Sequence, residues 1–367
     1  MAINTVDDLI EVIRTNDLLP PERMKELTVT VAGRVDDPKR MGKYLVQRRW
    51  LTLFQLQALF QGVASELSIG PYRIVDRLGQ GGVSSVFKAW DTNRKQYVAL
   101  KVIHPDLESN VEAFGRLQRE MMAATRLNHP NIVKALDIDL QGRRHYFAME
   151  LVEGTDLQKL VELSGAVPVH ESCNFIRQAA LGLQHAYEIG LVHRDIKPAN
   201  LLLIEQSRLI KILDFGLARL QFAKKQEVNL TIEGSVIGSA DYLAPEQSRN
   251  PSGVDVRADI YSLGCTLFFL LTGEVPFPGG SAFLKIHKHI SEEPVPPLEI
   301  RNPILPEALV TIVKKMMAKQ PDDRYRTPAS VAAALAPYSR ATTSDLNLTA
   351  SATTGAGEED LPPRGEQ

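Results

Sequence analysis

The chain has 367 residues, with 44% apolar and 23% charged side chains; this is long enough for two or three domains, and the balance excludes a wholly disordered, collagen-like or coiled-coil protein. Forty-two Lys and Arg stand against 44 Asp and Glu, a formal charge of -2, so the basic excess of a nucleic-acid or anionic-membrane binder is missing. The two cysteines, Cys173 and Cys265, cannot build a disulfide framework or a Cys-rich metal site, and a cytoplasmic location is expected.

The N-terminus, Met1-Ala2-Ile3-Asn4-Thr5 before Val6-Asp7-Asp8, has neither the basic start nor the apolar core of a secretion signal. Residues 1–68 read as an all-α accessory domain. Val6, Leu9, Ile10 and Ile13 share a helical face behind a Thr5/Asp8 capping box. A second helix is expected from Pro20-Pro21 with Met24, Leu27 and Val31 in step, and a third from Pro38 with Met41, Tyr44 and Leu45. A fourth follows Thr52, where Thr52 and Gln55 form another capping box, Leu53, Leu56 and Phe60 share a face, and Gly62 stops the helix. At Ile69-Gly70-Pro71 the pattern turns to strands: Tyr72 to Val75, Val83 to Trp90 and Tyr97 to Ile103. Helical periodicity returns from Val111 to Leu127, short strands follow to Val152, and the segments after Leu157 are mostly helical. The most apolar run, Leu263 to Leu271, is about half the roughly 20 residues a membrane span needs and is expected to be a buried helix. Residues 338–367 turn to Thr, Ser, Ala, Gly and Glu without an apolar face, which predicts a disordered tail.

The chemistry begins at Leu78-Gly79-Gln80-Gly81-Gly82-Val83-Ser84-Ser85-Val86, a glycine cluster between strands whose N–H groups can approach phosphates unobstructed. Taken alone it is equally an ordinary hairpin turn. Val98-Ala99-Leu100-Lys101 places a lysine at the end of an apolar run, where an inward ammonium needs an anion such as a phosphate or Glu120. Then come His193-Arg194-Asp195-Ile196-Lys197-Pro198-Ala199-Asn200 and, after an apolar strand, Asp214-Phe215-Gly216. Together they supply what phosphoryl transfer requires: a base or orienter for a hydroxyl, oxygen ligands for a hard metal, and positive charge.

In this order the motifs resemble the eukaryotic-like (Hanks-type) serine/threonine protein kinases of bacteria over residues 72–337. The resemblance implies an α+β, bilobal kinase fold, with a β-rich small lobe and a helical large lobe behind an N-terminal all-α extension. It implies ATP with Mg²⁺, or Mn²⁺ in its place, and protein substrates with Ser or Thr acceptors. Lys101 would hold the α/β-phosphates and pair with Glu120, Asp195 would take the hydroxyl proton, Lys197 would steady the γ-phosphate, and Asn200 and Asp214 would bind the metal. Leu78, Gly79, Gln80, Gly81 and Gly82 would lie against the nucleotide. Met149, Glu150 and Val152 would line the adenine side, Val86, Ala99 and Leu202 would sandwich the base, and Asp156 would reach the ribose. Asp214 to Glu246 would be an activation segment, with Thr231 and Ser235 as phosphoacceptors and Arg194 as their receiver. Glu246 would pair with Arg324, and Asp259 would brace the catalytic loop.

Two departures stand out: Ser84 occupies the place of the family's third loop glycine, and Ser239 that of a usual threonine. Arg49-Trp50-Leu51-Thr52-Leu53-Phe54-Gln55 resembles segments that precede kinase domains in planctomycete-like bacteria, and the helical region reads equally as a cap on the small lobe or as a docking module for a partner. The competing functions are a nucleotide-binding pseudokinase scaffold and a small-molecule phosphotransferase. The first is disfavoured by the complete set of Lys101, Glu120, Asp195, Asn200 and Asp214, and the second by Ala244-Pro245-Glu246. No nucleic-acid partner and no membrane span are expected.

Overall fold

A computed structural model describes residues 3–31, 33, 35–81, 84–104, 122–141, 144–215, 237–249, 253–291, 298, 302 and 304–340. Gly82, Glu120, Thr231, Ser235, most of the helix expected over Val111 to Leu127, and the expected tail beyond residue 340 lie outside the described residues. The chain divides into two compact units, Met1–Gly154 with Asp214–Ser235 and Thr155–Leu213 with Val236–Gln367.

The first unit begins with helices. α1 (Val6–Thr15) starts at the expected capping box, with Thr5 Oγ1 accepting the Asp8 N–H and Asp8 accepting that of Thr5. α2 (Pro21–Glu26) runs into a wide turn at Leu27–Val31, and α3 (Pro38–Gln47) is capped by Asp37. α4 (Leu53–Phe60) opens on the Thr52/Gln55 capping box and is followed by Gly62 at φ 76°. Its inward face departs from the expected one: Gln55, Ala58 and Leu59 are buried and Leu53 is 65% exposed. The reason is polar. Gln55 faces the neighbouring sheet, where its amide has a backbone partner, and this turns Leu53 outward.

That sheet is antiparallel, in the order β1 (Ser68–Ile69), β2 (Tyr72–Gln80), β3 (Ser84–Asp91), β4 (Gln96–Ile103), β6 (Arg144–Glu150), β5 (Ala135–Gln141). Alternation gives its two faces different work. Tyr72, Ile74, Ala89, Val98, Leu100, Tyr146 and Ala148 share one buried cluster with Leu9, Ile13, Met41, Leu45 and Leu59 of the helices. Ala99, Ile103, Phe147 and Met149 form a second cluster on the opposite face, with Val86 against it. The first 69 residues and the sheet therefore share one core.

The second unit contains a small sheet, β7 (Thr155–Asp156), β8 (Leu201–Ile204) and β9 (Leu209–Ile212), beside the helices α5 (Leu157–Ser164) and α6 (Val169–Glu188). Further along the chain come α7 (Ile237–Ala240), α8 (Pro245–Arg249), α9 (Val256–Thr272), α10 (Ala282–Ile290), α11 (Glu307–Met316) and α12 (Pro328–Leu335). The run Leu263 to Leu271 is wholly buried within α9. Among the described residues no helix is long and apolar enough to cross a membrane.

Two polar devices hold this unit. Arg324, 3% exposed, donates both terminal nitrogens to Glu246 at 2.6 and 2.9 Å, its Nε to Ala318 O at 2.7 Å, and lies over the Tyr261 ring. This is the expected ion pair, with the donors satisfied as burial of a charge requires. His289, 1% exposed, bonds Tyr261 Oη through Nδ1 at 2.7 Å and meets Phe277 edge-on.

Burial, reinforced by the charge of Lys319, lowers the His289 pKa to about 3. The unfolded chain, with its imidazole near ~6.5, takes up the proton first as pH falls, so stability is lost from pH ~6.5 down towards 3 at up to ~1.4 kcal/mol per pH unit. Urea unfolding at pH 7 and pH 5 should show wild type losing about 2 kcal/mol more than His289→Gln over that interval. Equal losses would mean that the ring is not held neutral.

Candidate active site

In the first unit Lys101 sits on β4 opposite Val86 and Phe147, on the sheet face turned away from the helices. Its side chain is 7% exposed, and Nζ meets Asp214 Oδ1 at 2.7 Å. An ammonium on an apolar face needs such an anion. The expected partner Glu120 lies outside the described residues; the partner seen is Asp214, held at φ 64°, in a region non-glycine residues seldom occupy. Val86, Ala99 and Met149 pack in the same apolar cluster. Glu150 is fixed to Lys134 by two bonds of 2.9 Å, one from its own N–H and one to its carboxylate. Val152 lies past the last strand pairing and makes no backbone hydrogen bond among the described residues.

The glycine strand answers whether a phosphate could be held there. Gly79 pairs with Val86, and the Gly81 N–H donates to Ser84 O at 2.8 Å. Among the described residues a Cβ added at Gly79 would meet nothing within 4 Å and one at Gly81 only Ser84 O at 3.5 Å, and neither glycine has a positive φ. The described residues do not demand glycine at either position. What their bareness leaves open is room for a second molecule against the backbone. Ser84 is buried and paired with Ile103.

In the second unit the loop before β8 is fastened at both sides of Arg194. Asp259, reaching out of α9 and 1% exposed, accepts the N–H of His193 at 2.8 Å and that of Arg194 at 2.7 Å. Gln247 Nε2 holds the Arg194 carbonyl at 2.8 Å. Between these anchors Arg194 is kept at φ 67°. His193 is buried, with Nε2 against Leu213 O at 2.7 Å and Nδ1 accepting the Asp195 N–H at 3.3 Å, which places the ring proton on Nε2. Full burial pushes the Asp259 pKa up, opposed by His193 and the two N–H bonds.

This loop presents a polar cluster. Lys197 Nζ donates to Asp195 Oδ2 at 2.9 Å and to Ser239 Oγ at 2.8 Å, so Ser239, in the place of a threonine, gives the loop a hydroxyl contact. Asn200 Nδ2 donates to Asp195 O at 2.7 Å and to Asp195 Oδ2 at 3.2 Å. Leu202 pairs with Asp156 across β8 and β7, and Asp156 caps α5 through the Lys159 N–H at 2.9 Å. Leu78 is 51% exposed and the Gln80 side chain accepts from Arg77 at 2.9 Å.

Sequence reasoning missed Gln247, and it missed a buried ion pair, Lys285 Nζ to Asp241 at 2.8 Å. Burial pushes the Asp241 pKa up while Lys285 draws it down. The sequence offered only two opposite charges 44 positions apart, Asp241 in an apolar stretch and Lys285 in a run shared with His287, Lys288 and His289.

Residues 72–335 match the family described as protein kinase domain. Similar proteins include the serine/threonine-protein kinase PknB of Mycobacterium leprae, 38% identical over 72% of this chain and 42% of its own, and PknB of Mycolicibacterium smegmatis, 39% identical over the same shares. Among solved structures, the PknI kinase domain of Mycobacterium tuberculosis is similar with a TM-score of 0.58 and 27% identity, covering 74% of this chain and 97% of that one. Rad53 1–466 in complex with AMP-PNP is similar with a TM-score of 0.60 and 26% identity, covering 77% and 70%. A fold of this kind with these motifs defines a protein kinase. The chain belongs to the protein kinase domain family, whose members use ATP and a divalent metal. It spans about two-fifths of the length of the curated relatives it matches.

Asp259→Asn should replace one acceptor by an amide facing a backbone N–H, costing about 1–3 kcal/mol. Hydrogen exchange should quicken at the His193 and Arg194 amides. Unchanged exchange would show that the carboxylate is not what fixes the loop.

Proposed function

We propose that this chain is a serine/threonine protein kinase that moves the γ-phosphate of ATP to Ser and Thr hydroxyls of proteins. The observation that carries the reading is the fastened loop: Asp195, Lys197, Asn200 and Ser239 are joined by hydrogen bonds and set on a backbone that Asp259 and Gln247 hold in a costly conformation. Groups fixed in advance cost no reorganisation during reaction. Both side-chain donors address Oδ2 of Asp195, leaving Oδ1 as the oxygen to accept the proton of an incoming hydroxyl. Lys197 stands beside that carboxylate as the charge for the γ-phosphate, and its place two residues after Asp195 favours Ser/Thr acceptors, in keeping with the names of the relatives.

Lys101 is the candidate for the α/β-phosphates, with Gly79 and Gly81 offering bare backbone beside it. Val86, Ala99 and Met149 supply an apolar surface for the base, with the backbone of Glu150 and Val152 as its polar edge; Leu202 is its proposed second side. The nucleotide-bound Rad53 structure supports ATP as the ligand. For the metal, Asp214 offers a carboxylate. The Asn200 amide nitrogen is committed to Asp195, so its oxygen can serve a cation. Among the described residues no three His, Cys, Asp or Glu side chains converge on a protein-only cage. This donor set suits Mg²⁺, which keeps waters and takes phosphate oxygens. A bound divalent ion neutralises charge building on the phosphate oxygens.

Asp195→Ala should keep nucleotide binding and lower transfer to a general protein substrate by about 10²–10⁴-fold, measured with radiolabelled phosphate. Transfer that survives the substitution would overturn the assignment, and binding without transfer by wild type would make the protein a scaffold. The same incubation with ATP and Mg²⁺ tests activation: mass spectrometry should find phosphate on Thr231 or Ser235. A fully active enzyme bearing it on neither would remove Arg194's role as receiver.

A further inference from the structure

Helix α4 meets the glycine strand at the first of two irregularities in its pairing. β2 pairs with β3 through two register shifts: Ile74 opposes Ala89 but Asp76 opposes Lys88, and Arg77 opposes Phe87 but Gly79 opposes Val86. Val75 and Leu78 are therefore the extra residues of two bulges, and a bulge decides which side chains reach which face. Without the first, Asp76 would stand opposite Phe87 on the face packed against the helices, and Arg77 opposite Val86 on the face that carries Lys101.

That first bulge is held from outside the sheet. Thr52 Oγ1 donates to Val75 O at 2.5 Å, and Gln55 Nε2 donates to Ile74 O at 2.8 Å. These are the two capping-box residues of α4, and their other atoms are in use as well. Thr52 Oγ1 accepts the Gln55 N–H at 3.1 Å, and Gln55 Oε1 accepts the Thr52 N–H at 3.0 Å. One pair of side chains thus closes the helix end and fixes the bulge. A second link follows: the Arg77 guanidinium lies 5.5 Å over the Phe54 ring of α4 and donates to Gln80 Oε1 at 2.9 Å, beside the glycines.

We infer that Thr52 and Gln55 are positioning residues for nucleotide binding, acting through the Val75 bulge on the strand that carries Gly79 and leads into Gly81. The helical region is then part of the nucleotide site's scaffold. This rests on the kinase reading for what the glycine strand holds. An ordinary cap would need only the bonds within α4; the two donated to β2 carbonyls add nothing to the helix.

The test uses the full chain and the variants Thr52→Val, Thr52→Ser and Gln55→Glu. Glu at 55 keeps the cap acceptor and loses the donor to Ile74. Thr52→Val and Gln55→Glu should raise KM for ATP and the Kd of a fluorescent ATP analogue by about five- to tenfold, the scale of a lost hydrogen bond or two. The values of kcat and of KM for the protein substrate should stay within about twofold, and Thr52→Ser should restore both ATP constants. If thermal stability falls while the ATP constants hold, or if serine fails to rescue, the inference is overturned. Should Thr52→Val not fold, Gln55→Glu decides alone. A wild type that binds the analogue without transferring phosphate would defeat the kinase reading and leave the Kd comparison intact. A wild type that binds no nucleotide would defeat both.

Discussion

The backbone at Arg194 is the constraint on which the catalytic loop depends. A left-handed φ on a non-glycine residue costs on the order of 1–3 kcal/mol. The compensation comes from Asp259, whose carboxylate accepts two backbone N–H bonds in a dry setting, each worth about 1.5–3 kcal/mol for a charged acceptor. The strain is therefore covered. Asp259 can do this because α9 is buried along nearly its whole length, a rigid post that brings the carboxylate to one place. From the fixed peptide follow the direction of Asp195, the reach of Lys197 to Ser239, and the contact between His193 and Leu213.

The six-stranded sheet applies the same economy on a larger scale. Because side chains alternate, each strand serves two clients: one face joins the helices in the main core, and the other holds Lys101 within an apolar setting where only an anion can satisfy it. A lysine in that position is costly without a partner and specific with one. Bulges adjust which residues of β2 reach which face without moving the rest of the strand.

What could be read from the sequence was local or arranged in order. The capping boxes of α1 and α4 follow from residues three apart, and the motifs around Lys101, Asp195 and Asp214 from their succession. Arg324 with Glu246 and Asp259 with its loop were legible only through the family pattern, since they lie 78 and about 66 positions apart. Leu53 was assigned inward because periodicity weighs apolarity alone. It could not register that Gln55, a polar residue, would be buried by carbonyls of a strand 19 positions away. Asp241 with Lys285 escaped for the same reason: a buried charge looks like an error in an apolar pattern until its partner is known.

The family match starts at residue 72, whereas the core that includes Tyr72, Ile74, Ala89 and Leu100 also includes Leu9, Ile13, Leu45 and Leu59. A polypeptide started at the family boundary would turn an entire sheet face towards water. Exposed apolar faces of that extent drive association, so such a fragment should clump or seek a chaperone. For this protein the bounds of the family match and the bounds of the shared core are different, and fragments meant to isolate the matched portion need to begin at the first helix.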